Sequence, residues 1–196
     1  MIKKKVIVLD ATAFYAGIPL SSFSHPSIQY YTTSSVLNEV RHIKQSIDAM
    51  DLLVNTGKLI VADPKQEYIE EVRAYAEKIG EYDLSDADIS IIALALMLQQ
   101  SYEVTIASDD YGIANVAMVM GLSISYTTSR GIRYPGKWVR YCKVCRITYN
   151  DASKVCRVCG NKLRSRLVSS WREKEEQKKR EEGREGERKE GRINES

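Results

Sequence analysis

Two groups of residues in this chain could do chemistry: scattered carboxylates, and four cysteines gathered toward the C-terminal end. The carboxylates are Asp10, Glu39, Asp88 and the adjacent pair Asp109-Asp110. Asp10 ends the apolar run Val6-Ile7-Val8-Leu9, and Ser108-Asp109-Asp110 ends Val104-Thr105-Ile106-Ala107. Apolar runs without polar alternation predict strands buried on both faces of a parallel sheet, where ligands sit beyond the carboxyl ends of the strands. Glu39 and Asp88 fall near the starts of helices, which begin at that same edge when strands and helices alternate. Four carboxylates are therefore expected to converge. Held together without a cation they would raise one another's pKa, so a hard divalent ion, Mg²⁺ or Mn²⁺, is the natural compensation. Metal-bound water beside such a group suits phosphodiester hydrolysis, because the metal generates the nucleophile and stabilises the leaving oxygen.

Each acid also has a structural role open to it. Asp10 can cap the helix that follows, Glu39 can be a solvated charge on a helix flank, and Asp88 can form a capping interaction with Ser85. Asp109 and Asp110 can be turn and first-turn acids favoured by the helix dipole. Convergence of all of them is what the separate roles leave unexplained.

The cysteines form Cys142-x-x-Cys145 and, ten residues on, Cys156-x-x-Cys159-Gly160. Two such knuckles make the closed tetrahedral site of structural zinc, with no open position for catalysis. A segment this short lacks a hydrophobic core, so metal binding is expected to supply its folding free energy. Around it lie Arg130, Arg133, Lys137, Arg140, Lys143, Arg146, Lys154, Arg157 and Lys162, followed by Arg164 and Arg166 and interleaved with Tyr134, Trp138, Tyr141 and Tyr149. Such a set can neutralise phosphates and stack unpaired bases, so it is expected to bind RNA.

The elements that must position these groups read as alternating strands and helices. Strands are expected over Val6 to Leu9, Ile28 to Thr32, Leu59 to Ala62, Val104 to Ala107 and Leu122 to Tyr126. Helices are expected from Ala11 to Ala16, from a Ser34 or Ser35 cap through Val54, from Asp63-Pro64 to Ile79, from Ile89 to Gln100, and from Tyr111 to Met120. Glu39 lies on the edge of the second helix's apolar stripe. The expected class is α/β, a parallel sheet sandwiched by helices with right-handed crossovers, followed by a small zinc ribbon and a charged tail.

The chain of 196 residues carries a net charge of +3, unevenly spread. Residues 1–129 sum to −7, residues 130–172 to +11 and residues 173–196 to −1. An acidic half and a polyanion-gripping half are the natural reading. The expected boundaries are a catalytic domain at 1–129, a linker at 130–137, the ribbon at 138–168 and a disordered tail at 169–196. The tail has Ile193 as its only aliphatic residue from 173 onward. Lys3-Lys4-Lys5 precedes too few apolar residues for a signal peptide, and no apolar run matches a membrane span, so a cytoplasmic protein without a membrane partner is expected. His25 and His42 are isolated and are expected to be surface or helix-flank residues rather than ligands.

The order Leu9-Asp10-Ala11-Thr12, Ser35-Val36-Leu37-Asn38-Glu39-Val40, Leu84-Ser85-Asp86-Ala87-Asp88 and Ser108-Asp109-Asp110-Tyr111 resembles the PIN-domain nucleases. That resemblance implies Mg²⁺- or Mn²⁺-dependent endoribonuclease activity, with Asp10, Glu39, Asp88 and the 109/110 pair as ligands. The choice within that pair stays open, the spacing from Ser108 favouring Asp110. Thr12 matches a position where the family carries a small polar residue that orients the first acid. Trp138-Val139-Arg140-Tyr141-Cys142, Cys159-Gly160-Asn161 and Asn115-Val116 narrow the resemblance to an archaeal type of the Nin-one-binding endonuclease family. It implies cleavage of precursor small-subunit rRNA at the 16S 3′ end, on a pre-ribosomal particle where assembly-factor proteins could be partners. The alternatives are a catalytically inactive RNA-binding assembly factor and a toxin-like PIN ribonuclease acting on other RNA. A phosphatase of the haloacid dehalogenase type would need an Asp where Thr12 stands.

Overall fold

Val6, Val8 and Leu9 are almost wholly withdrawn from solvent, and the strand they form, β1 (Lys5–Leu9), is the centre of the sheet. A computed structural model of the chain describes residues 3–16, 27–40, 44–128, 131–132 and 134–170, without side chains at 44–49 and 169–170. Within them the elements run β1, α1 (Ala11–Tyr15), β2 (Ile28–Thr32), α2 (Ser34–Val40), α3 (Lys44–Asn55) and β3 (Leu59–Val61). There follow α4 (Gln66–Ile79), α5 (Asp86–Gln99), β4 (Glu103–Ala107), α6 (Tyr111–Val119) and β5 (Ser123–Ser125). All five strands are parallel, in the order β3-β2-β1-β4-β5. The chain winds outward from β1 on one side, then crosses to β4 on the other. The switch point between β1 and β4 is where such sheets open a crevice at their carboxyl ends.

The expected α/β fold is the one observed. The helix expected from Ser34 or Ser35 to Val54 is described as α2 and α3, on either side of 41–43, which lie outside the described residues together with His42. His25 lies outside them too. Two expectations about caps need correction. Thr33, not a serine, opens α2: its hydroxyl accepts from the Val36 N–H at 3.4 Å, and Ser34 is already helical. Asp63 does not start α4, which begins at Gln66 with Lys65 in the N-cap position and no side-chain capping bond. Its carboxylate instead accepts from the N–H and hydroxyl of Ser34, at 2.9 and 2.7 Å, so the end of β3 is tied to the start of α2.

Helix α5 is buried nearly all round from Ile89 to Ala95, as its Ile, Ala and Leu content requires, and it packs against α2, α4, α6, β1 and β4. By contrast α4 buries only the stripe Val72, Ala76 and Ile79. No helix among the described residues is long and apolar enough to cross a membrane.

The chain divides into two compact units, 1–133 and 134–196. The second holds an antiparallel sheet in the order β7-β6-β8, from β6 (Gly136–Tyr141), β7 (Thr148–Tyr149) and β8 (Arg164–Ser170). Strand β6 takes in Gly136 and Lys137, the last two residues of the expected linker, and β8 runs two residues past the expected ribbon end. The buried core of this unit is a small cluster of Cys142, Tyr149, Cys156 and Leu163. Residues 171–196, most of the expected charged tail, lie outside the described residues.

Candidate active site and cysteine cluster

Parallel register sets Leu9 beside Ala107, so the next residue of each strand, Asp10 and Ser108, meet at the switch point. Asp10 is 3% exposed. Its Oδ2 accepts from the Ser108 hydroxyl at 2.8 Å, from the Thr12 hydroxyl at 2.8 Å and from the Thr12 N–H at 3.4 Å. Both hydroxyl protons are thereby committed to one carboxylate oxygen. The hydroxyl oxygens are then free to accept, and each does: Ser108 from the Asp110 N–H at 3.1 Å, Thr12 from the Asp109 N–H at 3.0 Å. Asp10 is thus locked to the β4-α6 turn through two relays. Below it, the buried Thr32 hydroxyl donates to the Leu9 carbonyl at 2.9 Å and fixes the peptide that carries Asp10. The capping role open to Asp10 is real, since it caps α1, and it uses the same oxygen.

Asp88 forms a capping box with Ser85: its Oδ2 accepts from the Ser85 N–H at 2.7 Å and the Ser85 hydroxyl at 2.8 Å. Partial burial pushes its pKa above the ordinary carboxylate value, the Ser85 bonds oppose the shift, and the charges of Asp10 and Asp110 add to it. Asp10 and Asp110 therefore both act on Asp88. Glu39 is exposed near the end of α2, five residues past its first residue or about 7.5 Å along the axis from the sheet edge, and it is not among the groups acting on Asp88.

The adjacent acids do different work. Asp109 receives the N–H and hydroxyl of Thr127 and of Thr128, the two hydroxyls at 2.5 and 2.7 Å, and so pins the segment after β5. Asp110 caps α6 through Oδ1, which accepts from Gly112 and Ile113 at 2.7 and 3.0 Å. The loop from α4 to α5 closes over this turn. A Cβ on Gly112 would lie 2.9 Å from Leu84 Cδ2 and 3.1 Å from Asp110 Oδ1, side-chain ends that a larger residue would have to displace. Buried Asn115 donates to Glu81 at 2.6 Å on the same loop.

In the second unit the ligand atoms of Cys142, Cys145, Cys156 and Cys159 all lie within 4.8 Å of one another. They are the group of this kind among the described residues. A tetrahedral zinc site with Zn–S of about 2.3 Å needs sulfurs roughly 3.8 Å apart, so the cluster can hold one ion. The knuckles repeat each other bond for bond. Cys142 N–H donates to Ile147 O and Arg146 N–H to Cys142 O; Cys156 N–H donates to Asn161 O and Gly160 N–H to Cys156 O. Gly160 has φ +71, whereas Arg146 takes φ +60 at the equivalent place without glycine's freedom. Tyr149 is buried; its hydroxyl accepts from the Arg157 N–H at 3.1 Å and shares a hydrogen bond with Cys156 Sγ at 3.3 Å. That bond helps hold the Cys156 thiol down to about 6, while hydrogen bonds that the Cys145 thiol donates to its neighbours, Cys159 first, push Cys145 up to about 12. Tyr149 is therefore unavailable as the base-stacking face expected of it.

The description "PIN domain of ribonuclease" matches residues 7–98. An endoribonuclease Nob1 of Pyrococcus abyssi is 32% identical over 167 residues, covering 84% of this chain and 95% of that protein. An endoribonuclease Nob1 of Methanocaldococcus jannaschii is 33% identical over 186 residues, 89% of this chain and 84% of that protein. The chain belongs to the Nob1 endoribonuclease family. Both matches are longer than the 133 residues of the first unit, so the Nob1 likeness extends into the second. A ribonuclease VapC3 of Aeropyrum pernix is 36% identical over 130 residues, or 65% of this chain, a length that the first unit alone could supply.

The acidic edge offers carboxylate oxygens, the donors a hard divalent cation takes, and among the described residues no Lys or Arg pairs with Asp10, Asp88 or Asp110; yet these acids do not gather at metal-binding spacing as the four cysteines do, so the expected convergence is only partial. The sequence marked Ser108 only by its spacing and did not mark Thr32. Their roles depend on strand register, which no local pattern carries. Of the basic residues, Arg130 and Arg133 lie outside the described residues. Lys143, Arg146, Lys154 and Lys162 are exposed, and Lys137 and Arg140 half-buried. Arg157 is committed to Asp151 at 2.6 Å and lies over the Tyr149 ring.

Proposed function

We propose that this chain is a Mg²⁺- or Mn²⁺-dependent endoribonuclease that hydrolyses one phosphodiester of precursor small-subunit rRNA, at the 16S 3′ end, in the cytoplasm. Asp10, Asp88 and Asp110 hold the metal, with Glu39 completing the set from α2 once substrate is present. Asp109 positions the β5 exit rather than the metal. The four cysteines hold Zn²⁺ for structure, and the basic residues around them grip the RNA within a pre-ribosomal particle.

The observation that carries this reading is Asp10: a buried carboxylate at the switch point, with one oxygen held by Ser108 and Thr12 and Asp110 tied to it through Ser108. Every described donor to Asp10 addresses Oδ2, which leaves Oδ1 as the ligand atom. When bound, the cation activates water and stabilises the leaving oxygen. The chain's own residues orient the acids, with one Asp10 oxygen held by two hydroxyl donors.

Asp10→Asn is expected to lower cleavage of a precursor rRNA fragment by roughly a thousandfold or more while RNA affinity changes little. Product ends mapped with and without Mn²⁺ check both rate and position. Wild-type cleavage by that variant would remove Asp10 from the site, and a wild type that binds but never cuts would favour the inactive assembly factor.

A further inference from the structure

The carboxyl end of β2 brings two hydroxyls in succession, Thr32 and Thr33, both fully withdrawn from solvent. Thr32 donates to the Leu9 carbonyl at 2.9 Å, and that carbonyl belongs to the peptide unit leading into Asp10. Thr33 bonds the hydroxyl of Ser90 on α5 at 2.8 Å, and Ser90 donates to the Ala87 carbonyl at 2.7 Å, in the peptide unit leading into Asp88. We infer that Thr32 and Thr33 are positioning residues: together they form a bracket that sets the peptides of Asp10 and Asp88 in register with α2, the helix that carries Glu39. The inference rests on the reading of those acids as metal ligands and adds to it what fixes their mutual placement.

The direction of each bond follows from the protons available, since a hydroxyl has only one to give. That of Ser90 goes to the Ala87 carbonyl, which can only accept. Ser90 Oγ is therefore the acceptor in its contact with Thr33, and Thr33 the donor. Thr33 Oγ in turn accepts from the Val36 N–H at 3.4 Å, in the first turn of α2. At the far end, the peptide unit that offers the Ala87 carbonyl sends its own N–H, that of Asp88, to Ser85 Oγ at 3.1 Å. One directed chain thus runs from the start of α2 to the capping box of α5, joining helices that are far apart in sequence.

A serine inside a helix often bonds a carbonyl of the preceding turn with no further purpose. Ser90 differs in two ways. It interrupts a run that is otherwise apolar and buried, Ile89 and Ile91 to Ala95, where alanine would pack without needing a partner. It also receives a proton from another element, through Thr33. A satisfied pair of buried hydroxyls is about as stable as an apolar pair of the same shape, so stability alone does not call for it. What the pair adds is rigidity, because a hydrogen bond holds at one distance and angle while apolar side chains slide. Ligand sets need that, since their groups must be held to within about 0.5 Å. The bracket fixes the peptides and leaves the carboxylates to turn onto the ion. Helix α2 is seven residues long, so a shift at Thr33 carries through to Glu39. On the exposed side the same helix start is tied through Ser34 to Asp63, which makes Thr33 the inner of two ties.

The test uses the full zinc-loaded chain without RNA and Mn²⁺ as the probe, its free ion followed by electron paramagnetic resonance, with Tm read separately in the absence of Mn²⁺. Thr32→Val and Thr33→Val keep the side-chain shape and remove one hydroxyl each; either is expected to weaken Mn²⁺ binding about 10–100-fold. Thr33→Ser keeps the hydroxyl and is expected to bind as the wild type does. Ser90→Ala leaves the Thr33 proton without an acceptor, so Tm and affinity should both fall. Combining Thr33→Val with Ser90→Ala removes both partners, and Tm is then expected to recover most of that loss while Mn²⁺ affinity stays low. A pair that served stability alone would not separate the two readouts. A folded Thr32→Val, Thr33→Val or Ser90→Ala chain with wild-type affinity overturns the bracket, as does affinity that recovers with Tm in the double variant. Asp10→Asn and Asp88→Asn give the reference. If neither weakens Mn²⁺ binding, the metal reading of the acids falls and the bracket with it; if both do while Thr33→Val does not, the bracket falls alone.

Discussion

Asp10 owes its pose to two hydroxyls, and these are separable from the acid itself. Ser108→Ala removes one of the two and unlinks Asp10 from the Asp110 N–H. Loss of a partner that orients a metal-binding side chain typically costs 10–100-fold in activity or metal affinity, so kcat at saturating Mn²⁺ is expected to fall by about that range. Ser108→Thr, which restores the hydroxyl, should recover most of it, and a shift in KM alone would refute the role. Asp88 makes a prediction about pH. Its pKa is raised in the fold above the ordinary 3.8, chiefly by burial. The folded state therefore favours the protonated acid: no stability is lost below the ordinary value, and stability is lost as pH rises through the raised one. Without divalent cations, Tm should fall across that window, and Asp88→Asn should flatten the fall. Adding Mn²⁺ at neutral pH should restore Tm in the wild type and less in the variant, as read by thermal denaturation.

At the scale of elements, the loop between α4 and α5 meets α6 at Gly112, where an added Cβ would press on the ends of the Leu84 and Asp110 side chains. Gly112→Ala gains helix propensity of at most about 1 kcal/mol, less in a first turn, against overpacking of about 1–3 kcal/mol on Leu84 and Asp110. A net loss of about 1 kcal/mol is expected in urea denaturation, with cleavage reduced because Asp110 and the Ser85-Asp88 box shift together. This junction also shows where the sequence ceased to be readable. Strand and helix positions followed from period and composition, because Val6 to Leu9 or Ile89 to Ala95 announce their own burial. Asp10, Asp88 and Asp110 were legible because each stands where a strand ends or a helix begins. Asp63 was misread because its local pattern, Asp-Pro before a helix, is the same whether it caps that helix or reaches across to Ser34. The division of labour between Asp109 and Asp110 was equally hidden: it turns on Thr127 and Thr128, residues seventeen or more positions away that only the β4-β5 pairing brings near. Glu39 was legible as a motif, yet helix spacing alone could not say that it stays in water.

For the molecule as a whole, the two units are held together internally by different physics. The first has an apolar core that includes Leu9, Tyr30, Leu53 and Leu59; the core of the second is two cysteines, a tyrosine and a leucine. Stripping zinc with a strong chelator is therefore expected to abolish hydrogen-exchange protection in β6, β7 and β8 while β1 and β4 keep theirs. RNA affinity should fall with the ribbon and return when zinc is restored. Equal loss of protection in both units would contradict this separation. The pair of knuckles adds an order to that event. They carry the same bonds, but the first holds Arg146 in a left-handed turn that the second gives to Gly160. Metal binding and chain geometry pull together in one half and against each other in the other. The ribbon is thus a clasp with a weak side, and release of the ion should begin at Cys142 and Cys145, leaving the second knuckle as the seed on which the site reassembles.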